Sequence, residues 1–303
     1  MAIGDRDTVE GTDIHYVDLG LYDIPEMGAA YLVDAERPAV VDTGTGARYE
    51  AILEGLAEIG VPPEELAVVV ATHVHLDHAG GAGYLARECP NATVLTHEIG
   101  VSHLIDPEQL VEGTKAAVGE QYDYYAETLP VPETRIEGVT DGDSVDLGDR
   151  ELRVHGAPGH APHQVVLEAP WAEAVFAADA AGIYLPSRGS VHPTTPPSRF
   201  DVPQSYEDVD TLRSLEPELL LYGHYGPAPA EGKLDAYETV LREWVADVER
   251  ARDELGDDEA VIERFQERAV EELGDTWPAW KCRNEASINV RGVLGWLDYR
   301  DRS

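Results

Sequence analysis

The stretch Thr72-His73-Val74-His75-Leu76-Asp77-His78-Ala79-Gly80-Gly81 packs three histidines and an aspartate into six positions. No helix or strand needs that composition. Neutral imidazole with carboxylate is the donor set of a borderline metal such as zinc, and the tight spacing lets one loop serve two neighbouring ions. Three further ligand-type side chains close strand-like runs: His160 after Pro158-Gly159, Asp179 after Ala174 to Ala178, and His224 after Leu219 to Gly223. An aspartate ending a buried strand is costly unless something pairs with it. A metal would do so, and a carboxylate bridging two metals would be paired twice.

Other polar residues near these runs have two readings each. His163 and His155 are weaker ligand candidates than His160, and the alternative for both is a hydrogen-bonded or core role. His97 and His103 read as structural or surface histidines. Asp42, closing its own strand before Gly44 and Gly46, reads either as a carboxylate orienting a metal-bound histidine or as an Asx turn or helix cap beside the glycines. Arg188 and Arg199 lie in a proline-rich loop, 185–203, and either bind an anionic substrate group or are ordinary surface charges.

The elements that position these residues follow an α/β rhythm. Leu66 to Ala71 has the β-branched centre of a strand buried on both faces, and the glycines after Asp77 sit where a chain turns into a helix. Residues 12–20 read as a strand, 29–33 and 38–42 as a hairpin, 47–59 as a helix ended by Pro62-Pro63, 83–88 as a helix and 92–96 as a strand. Strand, helix, strand is the signature of an α/β layer. Residues 97–134, with Tyr122, Tyr124 and Tyr125, read as a helical insertion that shapes a pocket. The apolar loop of Leu21, Tyr22, Ile24, Pro25 and Met27 reads as a cover. A turn-rich run, 138–149, precedes strands at 151–155, 164–168 and 174–178; Tyr206 to Leu215 reads as a helix and Glu218 to His224 as the last strand. Beyond it the apolar spacing is helical only, with stripes over 234–255 and 261–273 and a helix over 286–297. Residues 1–230 are thus expected to form the main body and 231–303 a C-terminal helical extension, with Trp244, Trp277 and Trp280 in packing roles. Because crevices in α/β proteins lie at the carboxyl ends of strands, the four ligand-bearing strand ends are expected to converge on one site.

The formal charge is -37, and only three of the 22 basic residues are lysine. Such a surface repels itself in dilute buffer, and molar salt shortens the Debye length to about 3 Å, so the composition reads as adaptation to a very salty cytoplasm. No Lys and Arg cluster offers footing for nucleic acid. Cys89 and Cys282 form no paired motif, which suits a reducing compartment and packing roles. The first seven residues contain no apolar signal region and no long apolar run occurs, so a cytoplasmic protein with no membrane partner is expected.

Taken in order, Thr-His-x-His-x-Asp-His-x-Gly-Gly at 72–81, Pro-Gly-His at 158–160, Asp179, Gly-His at 223–224 and Val-Asp-Thr-Gly at 41–44 resemble the metallo-β-lactamase fold superfamily over residues 12–226. The general motif looks most like hydroxyacylglutathione hydrolase (glyoxalase II) and related zinc hydrolases. The resemblance implies a four-layer αββα sandwich, two zinc ions per chain (iron or manganese being possible occupants), and a ligand set. His73, His75 and His160 would hold the first ion, Asp77, His78 and His224 the second, and Asp179 would bridge. Asp77 would also orient or deprotonate the nucleophile, and the substrate would be a small acyl compound: a thioester, ester or lactone. Where many relatives continue Pro-Gly-His as Thr-Pro-Gly-Ser, this chain has Ala161-Pro162-His163-Gln164, so the adjoining pocket wall is expected to differ. The C-terminal helices resemble the glyoxalase II substrate domain in position and class only. Two other readings share the motif: a mononuclear iron sulfur dioxygenase, and a non-catalytic metal-binding scaffold.

Overall fold

The computed structural model describes every residue except Ser198 and Ser303. The first half of the chain builds a seven-stranded sheet in sequence order: β1 (Arg6–Thr8), β2 (Ile14–Asp18), β3 (Ala29–Val33), β4 (Ala39–Val41), β5 (Val68–Val70), β6 (Thr93–His97) and β7 (Ile136–Val139). Pairing is antiparallel as far as β4 and parallel from β4 to β7. Parallel neighbours need crossovers. Here α1 (Tyr49–Glu58) joins β4 to β5, α2 (Leu76–Ala79) and α3 (Ala82–Glu88) join β5 to β6, and α4 (Glu98–Ile105) and α5 (Glu108–Val118) join β6 to β7.

The second sheet comprises β8 (Ser144–Asp146), β9 (Glu151–Gly156), β10 (Val165–Ala169) and β11 (Ala174–Ala178), with β14 (Leu219–Tyr222) and β15 (Gly226–Pro229) beyond β11. Between β11 and β14 the chain makes a small hairpin of β12 (Ile183–Leu185) and β13 (Ser190–His192), then α6 (Val202–Ser214). Three helices finish the chain: α7 (Lys233–Leu255), α8 (Asp258–Leu273) and α9 (Ala279–Arg300).

The period-two alternation of the strands decides the layering. Tyr31, Val33, Ala39, Val41, Val68 and Val70 meet Val154, Val165, Leu167, Phe176 and Leu221 of the second sheet in one buried cluster. The alternate residues Leu32, Val40, Val69 and Val94 pack instead with Ile52, Leu56 and Leu85 of the helices. On the far side, Val166, Val175, Ala177, Leu220 and Tyr222 share a cluster with Val209, Leu212, Leu241, Phe265 and Val290. The result is a four-layer αββα sandwich in which the C-terminal helices, together with α6, cover the outer face of the second sheet.

Several elements differ from the sequence expectation. Strand β7 precedes the turn-rich run and β8 lies within it, β15 follows the supposed last strand, and the β12–β13 hairpin overlaps the loop expected at 185–203. Each has only three or four residues, too few for alternation to register. Helix α9 begins at Ala279 rather than 286, so Lys281 is helical. Trp280 is 39% exposed and stacks on Tyr124 instead of entering a core.

Of the 59 carboxylates only Asp18, Asp42, Asp179 and Asp208 are buried, so the negative charge lies on the surface. Exposed arginines pair with it, as Arg213 does with Asp210, Asp235 and Glu238, but such pairs contribute at most about 1 kcal/mol each. Repulsion among the excess carboxylates therefore dominates until salt screens it. The melting temperature should rise from low to molar KCl in a thermal scan followed by circular dichroism; a flat or falling trend would contradict this account.

Candidate metal centre

All seven residues singled out above lie at one edge of the sandwich, at the carboxyl ends of β5, β11 and β14 and in the turn between β9 and β10. They form three donor groups whose ligand atoms lie within 4.8 Å of one another: His73, His75 and His160; His73, His78 and Asp179; and Asp77, His78 and His224. The turn that carries His160 is held by Asp208 of α6, whose Oδ2 accepts the Gly159 amide at 2.6 Å; burial pushes the Asp208 carboxyl up to about 6. Ala178, just before Asp179, has φ 46° where the β11–β14 register shifts, a bulge that re-aims the next side chain. Gly223 lies so close to the site that a Cβ there would sit 2.7 Å from His78 Cε1. Any other residue would push that ring away.

The donor atoms face one another. His75 Nδ1 is 3.0 Å from both His73 Nε2 and His160 Nε2, and His78 Nε2 is 3.1 Å from His224 Nε2. Two nitrogens on one tetrahedral zinc are about 3.3–3.4 Å apart, so these spacings are close to those a shared cation imposes. Asp179 reaches both clusters, with Oδ2 3.2 Å from His160 Nε2 and Oδ1 3.4 Å from His78 Nε2 and 3.8 Å from His224 Nε2. Its Oδ1 is buried without a hydrogen bond. A buried, underused carboxylate oxygen among inward-facing imidazoles fits a divalent cation.

The far sides of the rings are tied down, which selects the inward nitrogen. His224 Nδ1 donates to the Met27 carbonyl at 2.8 Å, and His160 Nδ1 lies 3.3 Å from the Thr194 carbonyl. His78 Nδ1 lies 2.9 Å from Asp42 Oδ2, while Asp42 Oδ1 accepts the Thr72 amide and hydroxyl, each at 2.9 Å. Asp42 thus orients His78. It does so from φ 59°, a backbone conformation that aspartate tolerates better than most residues.

Electrostatics divide the cluster. Burial holds the imidazolium forms of His73 and His75 well below the usual histidine range, helped by neighbouring histidines, and burial also lowers His160. Burial would likewise lower His78, but Asp179 and Asp42 on either side outweigh it and raise His78 well above that range. Burial opposes ionisation of Asp179, yet His78, His160 and His224 hold its carboxyl far below the usual carboxylate range. Asp77, partly buried, is lowered in the same way by His78 and His224, against the effect of its desolvation.

The remaining candidates stand outside the donor groups. His163 accepts the Val74 amide at 3.4 Å and packs edge-on to His75, with burial lowering it to about 4. His155 pairs with Glu168 at 3.1 Å, and His97 Nδ1 caps α4 through the Ile99 amide. Arg188 binds Asp275 and Thr276 at the end of α8, so it ties the β12–β13 hairpin to the helices, while Arg199 is exposed. The sequence places Tyr22 only in a covering loop, yet its hydroxyl donates to Asp77 Oδ2 at 3.1 Å and lies 3.1 Å from the Tyr125 hydroxyl. Burial and the Asp77 carboxylate keep its phenol protonated. Asp18 pins that loop by accepting the Gly20 and Glu26 amides, each at 2.8 Å. Asp208 had a signal that could have been used: a carboxylate on the apolar face of α6, beside Val209 and Leu212, needs a partner.

The sequence profile described as the Metallo-beta-lactamase superfamily matches residues 23–224, stopping at the last of the seven donors and before α7. The metallo-beta-lactamase fold-containing protein ST1585 of Sulfurisphaera tokodaii is 26% identical over 218 residues, 70% of this chain and 78% of that protein. The human acyl-coenzyme A thioesterase MBLAC2 is 27% identical over 183 residues, 56% of this chain and 63% of its own length. Among solved structures, ST1585 superimposes with a TM-score of 0.70 at 22% identity, covering 93% of this chain and 98% of that one. The metallo-beta-lactamase family protein TTHA1429 of Thermus thermophilus gives 0.64 at 21%, covering 90% and 89%.

The split in protonation has a measurable consequence. Asp42 and Asp179 favour a proton on His78 that an entering cation would have to displace, whereas burial favours the neutral forms of His73, His75 and His160. Since a raised pKa means the proton competes at neutral pH and loses as pH rises, affinity for one of two zinc equivalents should climb roughly tenfold per pH unit, the slope of one displaced proton. The other should stay flat between about pH 6.5 and 8, where its imidazoles carry no proton to displace. Chelator-competition titrations across that range measure both, and identical slopes would contradict the assignment.

Proposed function

The chain belongs to the metallo-beta-lactamase superfamily, and from that premise we propose that it is a hydrolase using two metal ions to cleave a small thioester, ester or lactone. The observation that carries the reading is the placement of Asp179. Its two oxygens address His160 on one side and His78 and His224 on the other, which suits a carboxylate bridging two ions. His73, His75 and His160 would hold the first, and Asp77, His78 and His224 the second. The completeness of the second group favours two ions over the single iron of a sulfur dioxygenase. Seven donors for two ions also leave coordination positions open, unlike the closed shell of a structural zinc.

Bound there, the ions would lower the pKa of a water to about 7 and polarise the carbonyl oxygen of the substrate. The side chains do the rest. Asp77, whose Oδ2 accepts the Tyr22 hydroxyl, would orient the attacking water or relay its proton. The Nδ1 contacts of His78, His160 and His224 keep those rings aimed inward as charge develops. The loop of residues 20–28, pinned by Asp18, covers that side of the site and limits access of bulk water. A thioester suits this arrangement because a thiol of pKa about 8.5 leaves without strong acid assistance. The similarity to an acyl-coenzyme A thioesterase supports the same choice. A groove of about 220 Å³ among α7, α8, α9 and the β12–β13 hairpin, lined by Trp244, Phe265, Trp277 and His192, contains none of the seven donors. It is not assigned to the acyl substrate.

Thioesters, lactones, phosphodiesters and β-lactams offered at high salt to protein purified without added metal test the reading. Thioester or lactone turnover with two zinc ions per chain by mass spectrometry is the expected outcome; one iron per chain and oxygen consumption would establish the dioxygenase instead. Asp179→Ala should abolish turnover and lower metal content, and a variant keeping both would refute the bridging role.

A further inference from the structure

Helix α9 carries a polar stripe that the chemistry above does not use. Lys281, Glu285 and Asn289 follow at four-residue spacing and so share one helix face. Lys281 is 1% exposed and Asn289 3%. The Lys281 ammonium donates to Glu285 Oε2 at 2.6 Å and to Gln121 Oε1 at 3.2 Å, and Asn289 Nδ2 donates to Glu285 Oε1 at 3.0 Å. Burying an ion pair costs more desolvation than an apolar pair of the same volume. What the stripe touches gives it a purpose.

At one end, the Lys281 ammonium lies 4.3 Å from the centroid of the Tyr22 ring. A cation on the face of a phenol draws density from the ring and strengthens its O–H as a donor. That O–H is the one donated to Asp77 Oδ2. At the other end, Asn289 Oδ1 accepts the Thr195 amide at 2.5 Å and its backbone carbonyl accepts the Thr195 hydroxyl at 2.8 Å. The preceding carbonyl, of Thr194, faces His160 Nδ1 at 3.3 Å. Gly292 continues the same face, and a Cβ there would collide with the Thr195 carbonyl, so helix and segment touch backbone to backbone. One helix face thus contacts the partner of an aspartate in one donor group and the partner of a histidine in another.

We propose that the Lys281–Glu285–Asn289 stripe positions both halves of the metal centre, Lys281 acting on Asp77 through Tyr22 and Asn289 on His160 through Thr194 and Thr195. These are positioning residues. The proposal rests on the metal-centre reading but not on any substrate, and its test reads metal affinity rather than turnover.

Zinc affinities of chelator-stripped protein are measured by competition for wild type, Tyr22→Phe, Lys281→Met and the double variant, with melting temperatures of the metal-free forms alongside. Partners that orient ligands are worth about 10–100-fold in affinity. Each single change should weaken the zinc at the Asp77 group about tenfold, and because they act in series the double variant should be no weaker than the worse single. Tyr22→Phe, which removes one oxygen, should do so without lowering the metal-free melting temperature. Asn289→Ala should weaken the other zinc. Unchanged affinities, or multiplying losses in the double variant, would overturn the positioning role. A wild type that binds two zinc ions but hydrolyses no ester would count against the function alone, while one that binds none would overturn both.

Discussion

Asp179 sets the problem that the rest of the molecule solves. A carboxylate 3% exposed at the end of a central strand, with one oxygen lacking any hydrogen bond, is tolerable only beside positive charge. Three histidine rings from three distant parts of the chain surround it, at 3.2, 3.4 and 3.8 Å. Beside it, His78 lies between Asp179 and Asp42, and those two carboxylates favour its imidazolium form. A divalent cation held by these residues would relieve both sides at once, taking the place of a proton and pairing the idle oxygen. Metal binding and the stability of this edge of the sandwich are therefore linked.

Convergence of that kind demands a stiff frame, and the two sheets supply it by being joined where the site lies. The Val165 amide donates to the Thr72 carbonyl at 2.9 Å, the Ala29 amide to the Gly223 carbonyl at 2.9 Å, and the Tyr31 hydroxyl to the Tyr222 carbonyl at 2.8 Å. Each bond spans the sheets within one or two residues of a donor. Beneath them lies the inter-sheet cluster of Val41, Val70, Val165 and Phe176, whose close packing resists small displacements. A shift of one strand would have to break these ties before it moved an imidazole.

What the sequence made legible follows from how local each interaction is. Four donors within residues 73–78 announce themselves by spacing, and the other three sit where apolar runs stop. The four-layer order was legible through family likeness, and the alternation of Val68, Val69 and Val70 between two different clusters gives it a physical basis. Short strands such as β8 and β15 left no periodic trace. Tyr22, Thr194 and Asn289 are illegible for a different reason. Each acts through contacts to residues far along the chain, and an isolated tyrosine or asparagine carries no pattern. Lys281 offered one hint, being one of three lysines in a very acidic chain, but its helix was expected to begin after it.

The match to the family profile ends at His224, yet the fold does not divide there. Helices α7 to α9 supply Leu241, Phe265 and Val290 to the same cluster that covers β11 and β14, the strands leading to Asp179 and His224. Remove those helices and the outer face of the second sheet, with Val175, Ala177 and Leu220, would keep only the cover of α6. The same helices carry the polar contacts to Tyr22 and Thr195. A segment that both seals the sheet behind the donors and holds two of their partners is coupled to the metal centre by packing and by hydrogen bonds together. Sequence change in α9 would therefore act on metal affinity and on stability at once.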